Sequence, residues 1–410
     1  AWGDPLAKDG PAWHPNNTAE QQRQQAGMHH DGMCFFADKD AEGQLRSDRG
    51  VLAVNHEYVD LGLIYEQGIC SQSADLVKKA QAAVGVSVVR LECGDQRSWS
   101  RDGGFRVDAN TPVAIGGPAR GHKLMQTPGK LFDAREHDGT GTHGTLANCS
   151  SGLTPWGTYL TCEENIQDFF KRAGTDRSAG ELAYGLPNSY GIPEGWHTRY
   201  GWDQHDLRFD IDREDARNHF NRFGWVVEID PRNPDRQPVK RTALGRCRHE
   251  NAAVVVAPDG RVVVYMGDDE RFQFIYKFVS KNRWNPDDPS SNWGLLDEGT
   301  LYAAQFDDQV RDDGCGVGRW LPLTPENPAI RNRFGDDQGA IVVFARIAAQ
   351  LAGATKMDRP EWISAPTHQG IGQPIGWVYC SLSNNTKRTT EQEHPANPRA
   401  NNTFGHIIRW

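Results

Sequence analysis

The chain has no run of about 18 apolar residues, so its sequence offers no membrane-spanning helix. It also lacks a basic excess: 45 Lys and Arg stand against 54 Asp and Glu, a net charge of −9. That balance argues against nucleic acid as a main partner, because phosphate contacts along a duplex or strand need a basic face. A small phosphate substrate is not excluded, since bound polyvalent cations can supply the positive field. Cysteine is sparse. The eight (Cys34, Cys70, Cys93, Cys149, Cys162, Cys247, Cys315 and Cys380) include no Cys-x-x-Cys pair. A disulfide framework and zinc-finger chemistry are both disfavoured, although one or two disulfides of unread pairing would fit. No fixed repeat is legible. No leader is read in the sequence, whose start at Ala1-Trp2-Gly3 is as expected of a mature or trimmed protein.

What is present points to β-structure. Glycine (43), proline (23) and tryptophan (13) are abundant without any period, as in a turn-rich β protein. Two stretches read as helices, Asn17–Gly27 and Ala74–Gly85, the latter with apolar positions at helical spacing and a Gly stop. The clearest strand series runs from Gly224 to Ser280, with Asp259-Gly260 at a hairpin position. Further strands are expected in GVLAVNHEY, VSVVRLE, GTYLTCEE, AIVVFARI, GWVYCSLS and GHIIRW. Two polar, Pro/Gly-rich segments, Lys171–Trp202 and Arg283–Asn332, read as long excursions over one face.

Several motifs carry candidate chemistry. Between Asn148 and Asn165, NCSSGLTPWGTYLTCEEN places the thiol of Cys149 near Glu163 and Glu164. A soft thiolate beside hard carboxylates suits a transition metal next to harder cations; a structural Cys and a solvated acidic pair are the plainer alternative. In GMHHDGM (27–33) the adjacent histidines read as structural, because neighbours on an extended chain point opposite ways. Asn55 and Glu57, on one face at a strand end, offer oxygen ligands of the kind calcium prefers, or simply a polar strand end. Glu250 lies in the GRCRHE link, where an inward carboxylate needs a partner or a metal. Asp268 and Asp269 belong to an acidic run after an apolar strand, either a hard-cation site or a solvated loop. In MDRPEWI, Pro360 pushes Arg359 toward an extended conformation, so that Arg359 and Glu361 share a side. Such a pair is often a surface ion pair; beside a metal, Arg359 would fork onto phosphate oxygens.

Taken in order, GMHHDGM, RGVLAVNHEY, NCSSGLTPWGTYLTCEEN, the LGR-to-HE link, YMGDDERFQFIYKFVS, MDRPEWI and NPRANNTFGHIIRW resemble segments of the PhoX-type alkaline phosphatases, over essentially the whole chain. The resemblance implies an all-β fold, a β-propeller with short peripheral helices and long loop excursions. Its active site would lie at the mouth of the central channel, with two ferric ions bridged in part by a cysteine thiolate, and calcium ions. Carried over residue by residue, Cys149 resembles the iron-bridging thiolate. Glu164, its neighbour Glu163, Glu250 and Glu361 resemble the metal carboxylates. Arg359 resembles the phosphate-binding arginine. Asn55, Glu57, Asp268 and Asp269 stand as calcium ligands or as groups behind them. The expected reaction is phosphomonoester hydrolysis by a metal-bound oxo or hydroxide, with no protein nucleophile. The chain is expected to act as a monomer on small phosphomonoesters; the resemblance further implies a periplasmic or secreted protein, exported by the twin-arginine route. Family members continue past the GHIIRW-like strand with a further acidic ligand and closing strands. Ending at Trp410, the chain therefore reads as a single propeller domain over residues 1–410 short of that segment: a fragment, a shortened variant or a ring completed by a partner. Two rival readings stand beside it, a calcium-dependent propeller such as a lactonase and a non-catalytic binding propeller. Neither needs a thiolate beside paired carboxylates.

Overall fold

Residues 1–66, 68, 72–94, 98–174, 184, 192–311, 315–366, 371–372 and 374–410 are described by a computed structural model of the chain. Four sheets follow one another along it. The first is a meander of β1 (His30–Lys39), β2 (Leu45–His56), β3 (Gly85–Cys93) and β4 (Trp99–Val107). The second contains β5 (Pro112–Gly116), β6 (Gly141–His143), β7 (Asn148–Leu153), β8 (Tyr159–Glu163), β9 (Val226–Ile229) and β10 (Val239–Arg241). Its order is β6-β5-β10-β9-β8-β7, antiparallel except for the β5–β10 pair. The third is a meander of β11 (Ala253–Val256), β12 (Arg261–Gly267), β13 (Ile275–Arg283), β14 (Gly299–Val310) and β15 (Gly316–Pro322). The fourth joins β16 (Pro360–Ser364), β17 (Tyr379–Leu382) and β18 (His406–Arg409). The fold is mostly β, with short helices, and among the described residues no sheet closes on itself.

The leading strands of successive sheets touch: β1 and β2 pack against β7, β7 against β11, and β12 against β16. Two glycines set how closely. A Cβ on Gly32 would lie 2.7 Å from the Ser150 backbone, and one on Gly267 would lie 2.4 Å from the Glu361 carbonyl oxygen. Only glycine allows backbones to approach this far. The largest apolar cluster lies between β11–β14 and the helices Gln338–Val343 and Ala345–Ala352.

Three sequence expectations are corrected. AIVVFARI is helical rather than a strand: Asp337 caps Gln338–Val343 by accepting from Ala340 N, and Ala345–Ala352 follows to a left-handed Gly353. Its residues are buried on every side, so the apolar run carries no period to separate strand from helix. The proposed excursion Arg283–Asn332 contains β14 and β15, both paired into the third sheet. The N-terminal helices are shorter than read, Ala19–Arg23 with a Thr18 capping box and Ala74–Ala82 capped by Ser73. Much of Lys171–Trp202 lies outside the described residues. Cys34, Cys93, Cys149, Cys162, Cys247 and Cys380 form no disulfide, and Cys70 lies outside the described residues. Among those described, no helix is long and apolar enough to cross a membrane.

Candidate metal centre

One register recurs where each sheet's leading strand begins. His30 pairs with His56, Asn148 with Glu163, His249 with Asp268, and Pro360 with Leu382. One residue beyond each pair stand Asp31 and Glu57, Cys149 and Glu164, Glu250 and Asp269, Glu361 and Ser383. One residue before each pair, a carbonyl accepts from the second partner's N–H. Glu57 donates to His29 (3.0 Å), Glu164 to Ala147 (3.0 Å), Asp269 to Arg248 (3.1 Å) and Ser383 to Arg359 (3.2 Å). The chain thus builds the same two-residue donor pair four times, from unrelated local sequences.

Two backbone devices aim these side chains. Each leading strand carries one extra residue beside its donor: the register slips between His30 and Met33, Asn148 and Ser151, and Pro360 and Ile363, and likewise between the His249 bridge and Ala253. A bulge of this kind bends the strand and re-aims a side chain. The second device is strain. His29, Ala147 and Arg359, each two residues before a donor, have φ of 49°, 51° and 56°. For a residue with a Cβ this conformation costs on the order of 1–3 kcal/mol and persists where surrounding structure imposes it. The extended conformation expected of Arg359 is therefore incorrect. Its left-handed turn lets its carbonyl receive Ser383 while its guanidinium reaches Asp269 at 2.6 Å and Glu361 at 3.3 Å.

The donors converge into an arc. Asp31, Glu57 and Cys149 form one triad, Cys149, Glu164 and Glu250 a second, and Glu250, Asp269 and Glu361 a third. Within each, the ligand atoms lie within 4.8 Å of one another. The Cys149 sulfur is 3.5 Å from Asp31 Oδ2 and 3.6 Å from Glu250 Oε2. Burial, with Glu361, Asp269 and Asp31 nearby, pushes Glu250 up to about 8. Burial and the charges of Glu250, Asp269 and Glu57 hold Glu164 well above the usual carboxylate range. The Cys149 thiol is driven up by burial and by Glu250, Glu164 and Asp31. Glu164, Glu250 and the Cys149 thiol therefore resist ionising together unless a cation is present. Asp269 Oδ1 is buried without a hydrogen-bond partner, as expected of an oxygen awaiting one. The donor set fits a mixed site, with sulfur at one end and oxygen alone at the other.

Cys149, Glu57, Glu164, Glu250, Asp269 and Glu361 are brought together here, with Arg359 at the arc's end. Three candidates are not. Glu163 is fully buried and turned away; it accepts from Lys240 Nζ (2.7 Å), Thr145 Oγ1 (2.9 Å) and the N–H groups of Leu146, Gly224 and Trp225. Its oxygens are occupied by these donors, and it serves as the counter-ion of buried Lys240. Asp268 is buried against Arg346, whose Nε donates at 2.8 Å, and so braces the loop beside Asp269. Asn55 donates to the Cys149 and Ser150 carbonyls at 2.7 and 2.8 Å and accepts from Tyr159 and Thr161. It shapes the bulge that presents the thiol. Asp31 also joins the arc; the sequence did not single it out, although it sits within GMHHDGM. The histidines before it are used locally: His29 stacks on Tyr58 with ring centroids 3.7 Å apart, and His30 Nε2 contacts the Gly27 carbonyl. A groove of about 720 Å³ lined by Asp307, Lys356, Arg388 and His394 shares no residue with the arc, so cavity size does not locate this site.

A thiol and six carboxylates on four strand entries, with a guanidinium at one end, make a cluster whose ligand atoms could hold metal ions. The alkaline phosphatase PhoX family profile matches residues 1–410, and the chain belongs to that family. By that membership it is a metal-dependent enzyme that hydrolyses phosphate monoesters. Among solved structures it is similar to Pseudomonas fluorescens PhoX in complex with vanadate, a transition state analogue. The identity is 42%, the TM-score 0.86, and the match covers 100% of this chain and 68% of that one. No curated protein sequence matches.

Proposed function

We propose that the arc is the phosphoryl-transfer centre of an exported phosphatase that holds ferric iron and calcium. The observation that carries this reading is the run of three overlapping triads that share Cys149 and Glu250. A thiolate favours a transition metal such as iron, so Cys149, Glu164 and Glu250, joined by Asp31 and Glu57, would hold it. Glu250, Asp269 and Glu361 offer oxygen alone, as calcium requires. When bound, such cations supply positive charge for a phosphate dianion and the Lewis acidity that activates water.

The remaining work falls to the chain itself. Arg359, fixed by its strained backbone and by Asp269 and Glu361, presents a planar fork to phosphoryl oxygens. Its charge would stabilise what develops on those oxygens in the transition state. No side-chain nucleophile is needed, and the vanadate complex of the relative supports phosphoryl transfer as the chemistry. Four sheets whose leading strands meet at one end support a single β-propeller over residues 1–410 with the arc at its mouth. We further propose a monomer acting on small phosphomonoesters in the periplasm or medium, exported by the twin-arginine route.

Elemental analysis of the purified chain for iron and calcium, with p-nitrophenyl phosphate turnover on the same sample, tests this. Both metals should be present, and turnover should vanish with chelation. Cys149→Ala should stay folded and lose iron and activity together; full turnover in that variant would sink the thiolate assignment.

A further inference from the structure

The fourfold register leaves one position unexplained. Along the arc, the second member of each pair lies between two leading donors: Glu57 groups with Asp31 and Cys149, Glu164 with Cys149 and Glu250, and Asp269 with Glu250 and Glu361. The fourth second member is Ser383, which follows Leu382 as Glu57 follows His56. Its N–H is bonded to Arg359 O in the same way. Its Oγ is shielded from solvent and has no hydrogen-bond partner among the described residues. A buried hydroxyl without a partner is a net cost to the fold. The N–H bond to Arg359 O sets the residue next to the one that closes the arc, and an unpartnered hydroxyl at that register position points to a ligand.

We propose that Ser383 is a substrate-binding residue that donates its hydroxyl to a phosphoryl oxygen alongside Arg359. The inference rests on the arc being the phosphate-binding centre. Chemistry decides between substrate and cation. The other three second members are acids, suited to holding cations. Ser383 alone replaces the acid with a neutral donor, and it does so on the strand pair that carries Arg359. An acid there would place negative charge against an incoming dianion; a hydroxyl gives it a hydrogen bond. The fourth pair thus turns a cation-binding repeat toward the anion.

The test compares Ser383→Ala, Ser383→Thr and Ser383→Asp as metal-loaded full chains. Readouts are iron and calcium content, the affinity for inorganic phosphate by calorimetry, and KM and kcat on p-nitrophenyl phosphate. In Ser383→Ala, phosphate affinity should fall by about tenfold, as for loss of a hydrogen bond to a charged group, and KM should rise in parallel at unchanged metal content. Ser383→Thr keeps a hydroxyl and should retain most of the affinity, while Ser383→Asp should lose more of it than Ser383→Ala does. Unchanged phosphate affinity and KM in Ser383→Ala would overturn the proposal, as would loss of a cation with normal phosphate affinity per loaded site. Wild-type protein that binds neither metals nor phosphate would instead undo the reading of the arc itself.

Discussion

Glu163 and Glu164 are neighbours with opposite tasks, and the difference is measurable. Glu163 and Lys240 are both fully buried at 2.7 Å, with burial pushing Lys240 down to about 8 despite its partner. Glu163→Gln leaves a buried ammonium without its counter-ion and should destabilise the fold by about 3–5 kcal/mol. Glu164→Gln should spare stability and lower iron content and turnover. Urea melts with metal analysis on both variants check this; the reverse pattern would exchange their roles. The sequence offered both because each is acidic. It could not choose, since consecutive strand residues face opposite sides and Lys240 arrives from a distant strand. Glu250 yields a second prediction. Its folded value of about 8 lies above the ordinary 4.5, so the stability tied to its proton is complete below about 4.5 and lost as pH rises through about 8. Metal-stripped protein should therefore show a lower urea midpoint at pH 9 than at pH 6. Reloading with iron and calcium should reduce that slope, because a cation replaces the proton.

At the level of elements, the strands that were legible are those with strong alternation or valine runs ended by turns, such as β2, β3, β12 and β13. β14 and β15 were hidden because their outer halves are exposed and polar, with Asp307 and Asp308 among them, and so resemble loop. The helices at Gln338–Ala352 were hidden by β-branched Ile341, Val342 and Val343, whose local preference yields to burial on all sides. Bulges are harder still. An extra residue opposite one partner leaves no compositional mark, yet the bulges at Asp31 and Glu361 decide where those carboxylates point. The crossing of β12 and β16 exposes this dependence to experiment. Gly267→Ala would place a Cβ 2.4 Å from the Glu361 carbonyl oxygen, against backbone that can yield only by separating the strands. The expected cost is about 1–3 kcal/mol of stability. Calcium content and turnover should fall further than that cost explains, because Glu361 moves with its strand. Retained calcium with normal turnover would show that the crossing does not position the ligand.

Across the molecule, the fourfold donor pair is invisible in sequence because loops of different length separate its members and the residues themselves differ. His29, Ala147, Arg248 and Arg359 share a backbone role and nothing else. The resemblance carried Cys149, Glu164, Glu250 and Glu361 to the arc one at a time; geometry supplies the rule that relates them and adds Asp31 and Ser383. A consequence follows for the stability of the whole chain. Each triad draws on two neighbouring sheets, so cations there would cross-link the sheets at one end. Ligands that bind only the folded form stabilise it by RT ln(1 + [L]/Kd), about 4 kcal/mol at a thousandfold excess over Kd. Removing metal should lower the melting temperature by several degrees and loosen the molecule unevenly. Amide exchange should quicken at residues 29–31, 147–149, 248–250 and 359–361 together, while the amides at the far end of β13, which pairs with Arg261 and Val263 rather than with Gly267, change little. Loss of protection confined to one of the four entries would mean that a single sheet holds its cation alone. Coordinated loss at all four would mark the arc as a shared fastening of the fold as well as its proposed catalytic centre.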